Sequence, residues 1–359
     1  MNEFIKGLDL SESFFNECAL PLLREHYPDL QYSAGLIGWG SDVLGYDDAV
    51  SADHNWGPRF YLFLRDEDES KKQELHDMFA ENLPYEHRGY SVNFAAGDGV
   101  SHMKPISEGK VKPLVDILTV DEYLAGWYLG ISDPASLTDL DWLTLSEHRL
   151  LGVTSGKIFK DDLGFKDRLE MLSFYPENVR LYLIASNWTI ISGEQAFVKR
   201  CADVGDNIGS ALVCGRIAER LMRLAFLYCK KYAPYSKWFG TAFSELPISA
   251  ELKDALAKAV MASDIETRED EIIRAQLLTA DLHNKANITD AVNVKVDNNY
   301  LGRGIKAIYA EKIADAVKAK LQETGLEKYP FIGSFNAVAN LDELWDYLPL
   351  MKKAKAIYE

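Results

Sequence analysis

The fold is decided by residues 36–64, LIGWGSDVLGYDDAVSADHNWGPRFYLFL, in which two apolar runs flank a turn-rich segment. The first run ends in GWGS (38–41), a sequence typical of a buried strand that breaks into a tight turn. A second strand is predicted from Phe60 to Leu64. We expect Asp53 and Asn55, just before it, to lie on one strand and to project to the same face, because side chains alternate along a strand.

The chemistry that this segment indicates is the binding of a phosphate chain together with a divalent cation. A turn at Gly40 and Ser41 presents backbone N–H groups and a hydroxyl, both of which bind phosphate oxygens. Asp53 and Asn55 carry oxygen atoms, and Mg²⁺ favours one or two carboxylates together with phosphate oxygens. A strand-ending turn followed by a surface acid is the purely structural alternative for the same residues.

The pattern Gly-Ser, about a dozen residues, then acid-x-acid resembles the signature of the DNA polymerase beta-type nucleotidyltransferase superfamily. The longer stretch GSDVLGYDDAVSADHNWGPR more closely resembles an uncharacterised bacterial family of nucleotidyltransferase-like domains of unknown function. The resemblance extends over most of the chain and concerns fold and chemistry, not a particular substrate. Its later segments are PLVDILTVDEYL, FVKRCADVGDNIGS, YAPYSKWFGTAF and LLTADLHNKANIT.

The resemblance implies an α+β fold, in which a small mixed β-sheet nucleotidyltransferase core with flanking helices is followed by an α-helical bundle domain. From the change to long helical patterns we place the first domain at residues 1–165 and the helical domain at residues 166–359. The arrangement also resembles small-molecule nucleotidyltransferases of the kanamycin-modifying type, whose helical domain helps to build the substrate pocket. We therefore expect the helical domain to contribute to the substrate cleft.

Asp116 is expected to complete the metal site. It lies at the centre of the apolar segment PLVDILT (113–119), a predicted strand in which an acid is costly to bury without a partner. In the superfamily a third carboxylate on such a neighbouring strand joins the metal site. The resemblance thus implies that Asp53, Asn55 and Asp116 are the metal ligands and catalytic residues. The cofactor would be Mg²⁺ or Mn²⁺, with a nucleoside triphosphate (NTP) as co-substrate.

One position departs from the superfamily pattern, because the second acid is replaced by Asn55. An amide oxygen can ligate Mg²⁺ but adds no charge, so we expect weaker metal affinity. The function predicted first is Mg²⁺-dependent transfer of a nucleoside monophosphate from an NTP to a hydroxyl of a small molecule. The alternatives are a catalytically impaired nucleotide- or ligand-binding protein and a structural protein, such as a homodimer held by its helical half.

Two further residues are candidates for binding the triphosphate, together with the Gly40-Ser41 turn. The planar fork of Arg59 suits a phosphate chain, although a structural ion pair is the equal alternative. Lys237, in the aromatic-rich loop YAPYSKWFG, is the other candidate. The basic stripe Arg216, Arg220 and Arg223 is typical of arginines that pair with acids rather than with ligands.

Composition narrows the class of partner. With 39 Lys+Arg against 55 Asp+Glu the formal charge is −16, and no Lys/Arg-rich run is visible. A nucleic acid polymer would be repelled, so a small acceptor is favoured, and a cationic one suits the negative charge. Four widely spaced cysteines without a CxxC pair indicate neither disulfides nor zinc. The N-terminus lacks a signal-peptide pattern and no apolar stretch reaches membrane-spanning length, so we predict a cytoplasmic protein without a membrane partner.

Gly152 and Gly156 indicate turns in a short hairpin from Leu151 to Phe159, which would close the first domain. The remaining periodicity predicts several helices. The helices are predicted at residues 12–26, 67–82, 178–202, 206–232, 250–263, 263–284, 304–324 and 341–358.

Overall fold

The computed structural model describes residues 4–97, 99–338 and 347–358. Its architecture is mixed α+β, with a four-stranded mixed sheet and many helices, so the predicted fold class is confirmed at this level. The chain divides into two compact units, Met1–Ser136 with His148–Ser173, and Leu137–Glu147 with Phe174–Glu359. The boundary predicted after residue 165 falls at the start of a short helix, Phe165–Glu170, within the first unit.

Strands and helices are labelled here in chain order. The strands are β1 (Tyr32–Leu36), β2 (Arg59–Leu64), β3 (Glu86–His87), β4 (Tyr90–Ser91), β5 (Phe94–Gly97), β6 (Val100–Met103), β7 (Leu114–Thr119) and β8 (Lys157–Asp161). The α-helices are α1 (Gly7–Phe14), α2 (Leu20–His26), α3 (Lys72–Asn82), α4 (Asp139–Thr144), α5 (Glu147–Ser155), α6 (Phe165–Glu170), α7 (Glu177–Glu194), α8 (Phe197–Asp203), α9 (Asn207–Tyr228), α10 (Ser236–Glu245), α11 (Ala250–Met261), α12 (Ile265–Lys285), α13 (Glu311–Ala319), α14 (Phe335–Val338) and α15 (Leu348–Lys353). A π-helical turn, Phe15–Ala19, joins α1 to α2, and a second one spans Glu122–Tyr128.

The main sheet of the first unit has the strand order β7-β2-β1-β8. Strand β1 pairs with β2 and β8 in antiparallel fashion, whereas β2 pairs with β7 in parallel. The predicted strands around residues 34–37, 60–64 and 113–119 are therefore all present. The parallel pair places Asp116 of β7 directly beside Tyr61 of β2.

One face of this sheet packs against the N-terminal helices. Phe60, Leu62 and Leu64 of β2 are at most 1% exposed and belong to one core cluster with Phe14 of α1 and Phe79 of α3. Burial of such side chains contributes about 1.5–3 kcal/mol each. Because side chains alternate along a strand, the intervening residues of β2 point to the opposite face, where the polar candidates lie.

The hairpin predicted for Leu151–Phe159 is wrong, since this stretch holds the end of α5 and most of β8. The two glycines that indicated turns instead permit close packing. A Cβ atom on Gly152 would overlap the carbonyl oxygen of Gly38, and one on Gly156 would lie 2.7 Å from the Cα of Ile37. Glycine at such contacts reflects a close approach of two backbones, which a sequence does not distinguish from a turn.

The second unit is built mainly of helices, with α9 near its centre. Ile217, Leu221 and Leu224 of α9 and Trp188 of α7 are all at most 1% exposed. The helix predicted at residues 206–232 is therefore present as α9. No helix among residues 4–97, 99–338 and 347–358 is long and apolar enough to cross a membrane.

Two helices predicted near the C-terminus fit only in part. The one predicted at residues 304–324 begins only at Glu311 and ends at Ala319. Before it, Asp297 and Ala307 form an antiparallel bridge that holds the backbone in another conformation. For the helix predicted at 341–358, residues 341–346 lie outside the described residues, and α15 with a 3₁₀ turn at Ala354–Ile357 covers most of the rest.

Candidate functional site

The turn that follows β1 requires glycine at two positions. Gly38 has a φ of +91° and Gly40 a φ of +133°, values that residues other than glycine rarely adopt. At Gly40 there is also no room, because a Cβ atom would overlap the carboxylate of Asp42 and lie 2.6 Å from Nη2 of Arg59. The glycine therefore allows a buried ion pair to lie directly beneath the turn.

This ion pair joins Asp42, just after the turn, to Arg59 at the start of β2. Nη2 of Arg59 lies 2.9 Å from Oδ1 of Asp42 and Nε lies 3.2 Å from Oδ2, while Nη2 also donates to the carbonyl of Trp39 at 2.8 Å. Both residues are at most 5% exposed. Burial has the largest single effect and lowers the pKa of Arg59, but Asp42, Tyr61 and Asp116 together outweigh it, and the net effect raises this pKa. Of the two roles predicted for Arg59, the structural ion pair is present.

The backbone of the turn leaves several donors unused. The N–H of Val43 donates to Oδ1 of Asp42, and the N–H groups of the next residues donate to carbonyls within the turn. In the part of the chain that the structure describes, the N–H groups of residues 39–42 donate to no protein acceptor. Trp39, Gly40 and Ser41 are half-buried, and because glycine has no side chain, the exposed surface of Gly40 is backbone. The hydroxyl of Ser41 donates to the carbonyl of Ser51 at 3.3 Å.

Beside the turn, the sheet face opposite the N-terminal helices carries Arg59, Tyr61 and Asp116. The register of β2 and β7 and the alternation of side chains place these three on one face. The ring of Tyr61 packs 5.3 Å from that of Tyr123 and 5.6 Å from that of Trp127. Trp127 is 43% exposed, so one aromatic ring next to the polar residues remains open to solvent.

Asp116 combines solvent access with an unfavourable electrostatic environment. Its side chain is exposed, yet desolvation by the surrounding protein raises its pKa, and the positive charge of Arg59 only partly offsets this. A carboxylate that is accessible and still desolvated lies in a recess rather than on a convex surface. Solvent access together with a raised pKa lets the carboxylate of Asp116 take up a proton more readily than an ordinary aspartate, a property of many functional carboxylates.

Asp53 and Asn55 are not on a strand, so the prediction that they share a strand face is wrong. Both precede β2 in a bend, where Asn55 has a left-handed φ of +47°. Oδ1 of Asn55 accepts a hydrogen bond from the N–H of Ser101 at 2.9 Å. The exposed carboxylate of Asp53 lies 2.9 Å from Nδ1 of His54. Contacts with the β5–β6 hairpin thus hold this segment, whereas Asp116 is held beside β2.

The three predicted metal ligands therefore lie on two different elements. Asp53 and Asn55 share the bend before β2, and Asp116 is on β7. Within the described residues, no group of three or more His, Cys, Asp or Glu side chains is arranged to hold a metal ion. An asparagine oxygen is not among these four residue types, so metal binding by the two acids and the amide of Asn55 stays a prediction. The structure does bring together Gly40, Arg59 and Asp116, through the ion pair and its charge.

The remaining candidate, Lys237, lies on α10 of the second unit, exposed to solvent, with Nζ 4.9 Å from the ring centre of Trp238. Two members of the basic stripe on α9 pair with acids, as the sequence predicted. Sequence reasoning missed Asp42, Tyr61 and Trp127. One signal for Asp42 was available. It directly follows the Gly-Ser pair, and Arg59 was already expected to need an acid as an ion-pair partner. Nothing in the sequence distinguished Tyr61 or Trp127 from core aromatics.

The fold and site define a mixed α+β protein with a glycine turn, a buried ion pair and an accessible carboxylate on one sheet face. Residues 142–239 match the family described as Domain of unknown function (DUF4037), which is less than half of the chain. No match was found among curated proteins. The nucleotidyltransferase-like protein from Exiguobacterium sibiricum 255-15 is similar at 11% identity and a TM-score of 0.34, over 88% of this chain and 91% of that one. Likeness at this level carries no argument about chemistry.

Proposed function

We propose that the first unit binds the phosphate chain of a nucleotide, or of a similar phosphorylated small molecule, at the turn of residues 38–42. We propose further that its capacity for nucleotidyl transfer is impaired. The observation that carries the proposal is the run of N–H groups at residues 39–42, which have no acceptor in the described chain. Consecutive backbone N–H groups at a turn are a recurrent site for phosphate oxygens.

An exposed aromatic ring near the turn supports a nucleotide in particular. Trp127 presents a partly exposed ring that packs against Tyr61, on the same sheet face as Asp116. Stacking of a base on an aromatic side chain contributes about 1–3 kcal/mol and tolerates different bases. The turn would thus hold the phosphates, and Trp127 would hold the base.

The charges near the turn support a requirement for a divalent cation. Arg59 is neutralised by Asp42, so it adds little attraction for a phosphate chain. The carboxylate of Asp116, when ionised, repels phosphates on the same face of the sheet. Asp116 would hold Mg²⁺, and the ion would supply the positive charge that offsets this repulsion, since one carboxylate with phosphate oxygens is a usual Mg²⁺ environment. We therefore expect nucleotide binding to be stronger with Mg²⁺ than without it.

The state of Asn55 supports the impaired form of the function. Its side-chain oxygen accepts a hydrogen bond from Ser101, and it contributes no negative charge. A two-metal transfer site depends on carboxylates that hold both ions at a fixed spacing. With Asp116 on β7, Asp53 in an exposed bend and no charge at Asn55, we expect metal binding too weak for efficient transfer.

A second candidate, active transfer, is favoured by the raised pKa of Asp116. In this reaction a hydroxyl oxygen of a small molecule, either neutral or cationic, attacks the α-phosphorus of an NTP. The bond from that phosphorus to the β-phosphate bridging oxygen breaks, and pyrophosphate leaves. The hydroxyl proton passes to the carboxylate of Asp116. The metal ions, held by Asp53, Asn55 and Asp116, would supply charge stabilisation.

The test measures binding and turnover separately on the full chain. Calorimetric titration with each of the four common NTPs, with Mg²⁺ and with EDTA, measures binding, and release of pyrophosphate measures turnover. Gly40→Ala places a methyl group against the ion pair beneath the turn, whereas Gly45→Ala, with a φ of +79° and open space at its Cβ, is the matched control. We expect Gly40→Ala to weaken NTP binding at least tenfold and Gly45→Ala to leave it nearly unchanged.

The possible outcomes separate the candidates. Mg²⁺-dependent NTP binding without pyrophosphate release supports the impaired protein. Pyrophosphate release that Asp116→Asn abolishes refutes impairment and establishes the transferase. Absence of binding for every NTP, with folded wild-type protein, refutes the nucleotide site altogether.

A further inference from the structure

Three arginines lie along one side of α9 in the second unit, and their surroundings differ. Nη2 of Arg216 lies 2.8 Å from Oε1 of Glu194, and Nε of Arg223 lies 2.9 Å from Oε1 of Glu219. Arg220 lies between them in sequence. Arg220 is half-buried, and among the described residues no carboxylate lies within ion-pair distance of its guanidinium. Within residues 4–97, 99–338 and 347–358, the middle arginine of the stripe is thus the one whose charge no contacting carboxylate neutralises.

The hydrogen bonds of Arg220 are also incomplete. A guanidinium carries five N–H donors, and here Nη2 donates to the carbonyl of Ala337 at 3.2 Å. Nη1 is shielded from solvent and has no hydrogen-bond partner in the described part of the chain. A shielded charged donor without an acceptor is costly, and native proteins leave few of them unexplained.

The local electrostatics favour an incoming negative charge. Desolvation and the neighbouring charge of Arg223 both lower the pKa of Arg220, and the carboxylates of Glu219 and Glu194 only partly offset them. Arg223 is itself held by Glu219 and lies over the ring of Phe239 at 5.2 Å. A bound anion would relieve both the missing hydrogen bonds and the repulsion between the two guanidinium groups.

We propose that Arg220 is an anion-binding residue of the helical unit, which takes the oxygen atoms of a phosphate or carboxylate group of a small molecule. The planar fork of arginine binds such groups through two parallel N–H bonds. The side chain keeps part of its surface in solvent, which provides the approach for the anion. This site is separate from the turn of residues 38–42 and does not depend on nucleotide binding there.

The experiment compares single variants of the full chain in phosphate-free buffer and in rising concentrations of sodium phosphate, pyrophosphate or citrate. The measured quantities are the melting temperature and the calorimetric affinity. Arg220→Met removes the charge at similar length, Arg220→Lys keeps the charge but loses the fork, and Arg216→Met removes a neighbouring paired arginine as a matched control. Phosphate and pyrophosphate represent one source of the anion, and citrate represents the carboxylate source.

We expect the wild type and Arg216→Met to gain melting temperature with at least one of the anions. Arg220→Met should lose at least tenfold in affinity for that anion, and Arg220→Lys should be intermediate. Without anion, Arg220→Met should melt at the wild-type temperature or higher, because the uncompensated charge is gone. A purely structural arginine would instead lower the melting temperature in every buffer, and that result would overturn the proposal.

Two other results would also overturn it. One is full retention of anion binding in Arg220→Met. The other concerns Asp342 and Glu343, which lie outside the described residues. The wild type would then bind no anion, whereas the double variant Asp342→Asn/Glu343→Gln, which keeps Arg220, would bind one. That result would mean that Arg220 pairs with acids of its own chain. Since all these variants leave the turn of residues 38–42 unchanged, loss of binding in Arg220→Met alone identifies the helical site.

Discussion

Replacing Gly40 by alanine tests the central structural feature of the first unit, the buried ion pair beneath the turn. The added methyl group would overlap the carboxylate of Asp42 and lie 2.6 Å from Nη2 of Arg59. The two side chains then have to separate while both remain enclosed by protein. Disruption of a buried, hydrogen-bonded pair typically costs about 3–5 kcal/mol. The positive φ adds about 1–2 kcal/mol for any residue with a Cβ.

Gly45 provides the reference that isolates the ion-pair contribution. It belongs to the same loop, has a φ of +79°, and a Cβ atom there would meet nothing within 4 Å. Gly45→Ala therefore carries the backbone cost without the steric one. We expect Gly40→Ala to reduce the free energy of unfolding by about 3–5 kcal/mol more than Gly45→Ala does.

Urea unfolding followed by tryptophan fluorescence and far-UV circular dichroism measures this difference, provided that the slope of the transition stays constant. The Asp42→Ala background supplies a double-mutant cycle, because it removes the carboxylate that the methyl group would overlap. In that background the extra cost of Gly40→Ala over Gly45→Ala should shrink, because only the close contact with Nη2 of Arg59 remains. Equal costs for the two glycines in the wild-type background would refute the reasoning.

Three further predictions concern the charged carboxyl group, a buried histidine and core packing. Burial raises the pKa of Asp116, so the folded state binds its proton more tightly than the unfolded state, and stability falls as the pH rises through the folded pKa. Asp116→Asn should therefore stabilise the protein at pH 7 but not below pH 4, in urea unfolding at both values. Burial lowers the pKa of His283 to about 4, so stability should fall by up to about 3 kcal/mol as the pH drops from 6.5 to 4. In His283→Gln this dependence should be weaker, and an unchanged pH profile would contradict the assignment. On α9, Leu224 is fully buried and Leu212 is 61% exposed, so the alanine variants should lose about 2–5 and less than about 0.5 kcal/mol. Comparable losses at the two positions would show that the described burial is wrong.

Segments with a strong local pattern could be read from the sequence. The apolar run of β2 and the segment that forms β7 have the composition of buried strands, and the period of apolar residues in α9 indicates a buried helix. The sequence also singles out Asp116 for a local reason, since an acid inside an apolar strand is costly to bury unless another group pairs with it. Such inferences need only near neighbours in the chain.

The features that define the candidate site depend on contacts between distant segments. The pairing of Asp42 with Arg59, the attachment of Asn55 to the β5–β6 hairpin and the packing of Trp127 on Tyr61 arise only when separate strands and loops meet. The same holds for Gly152, which the sequence presents as a turn residue and the structure as a contact between backbones.

The sequence by itself determined strands β1, β2 and β7, the buried helix α9, the α+β class and the place of Asp116 within a strand, because local composition and periodicity encode burial. The tertiary structure decided which donors remain unused, which arginine lacks an acid and which glycine has no space for a methyl group. Those properties follow from distances between segments far apart in the chain, and the free energy that sets these distances is a sum over the whole packed unit rather than over any one stretch.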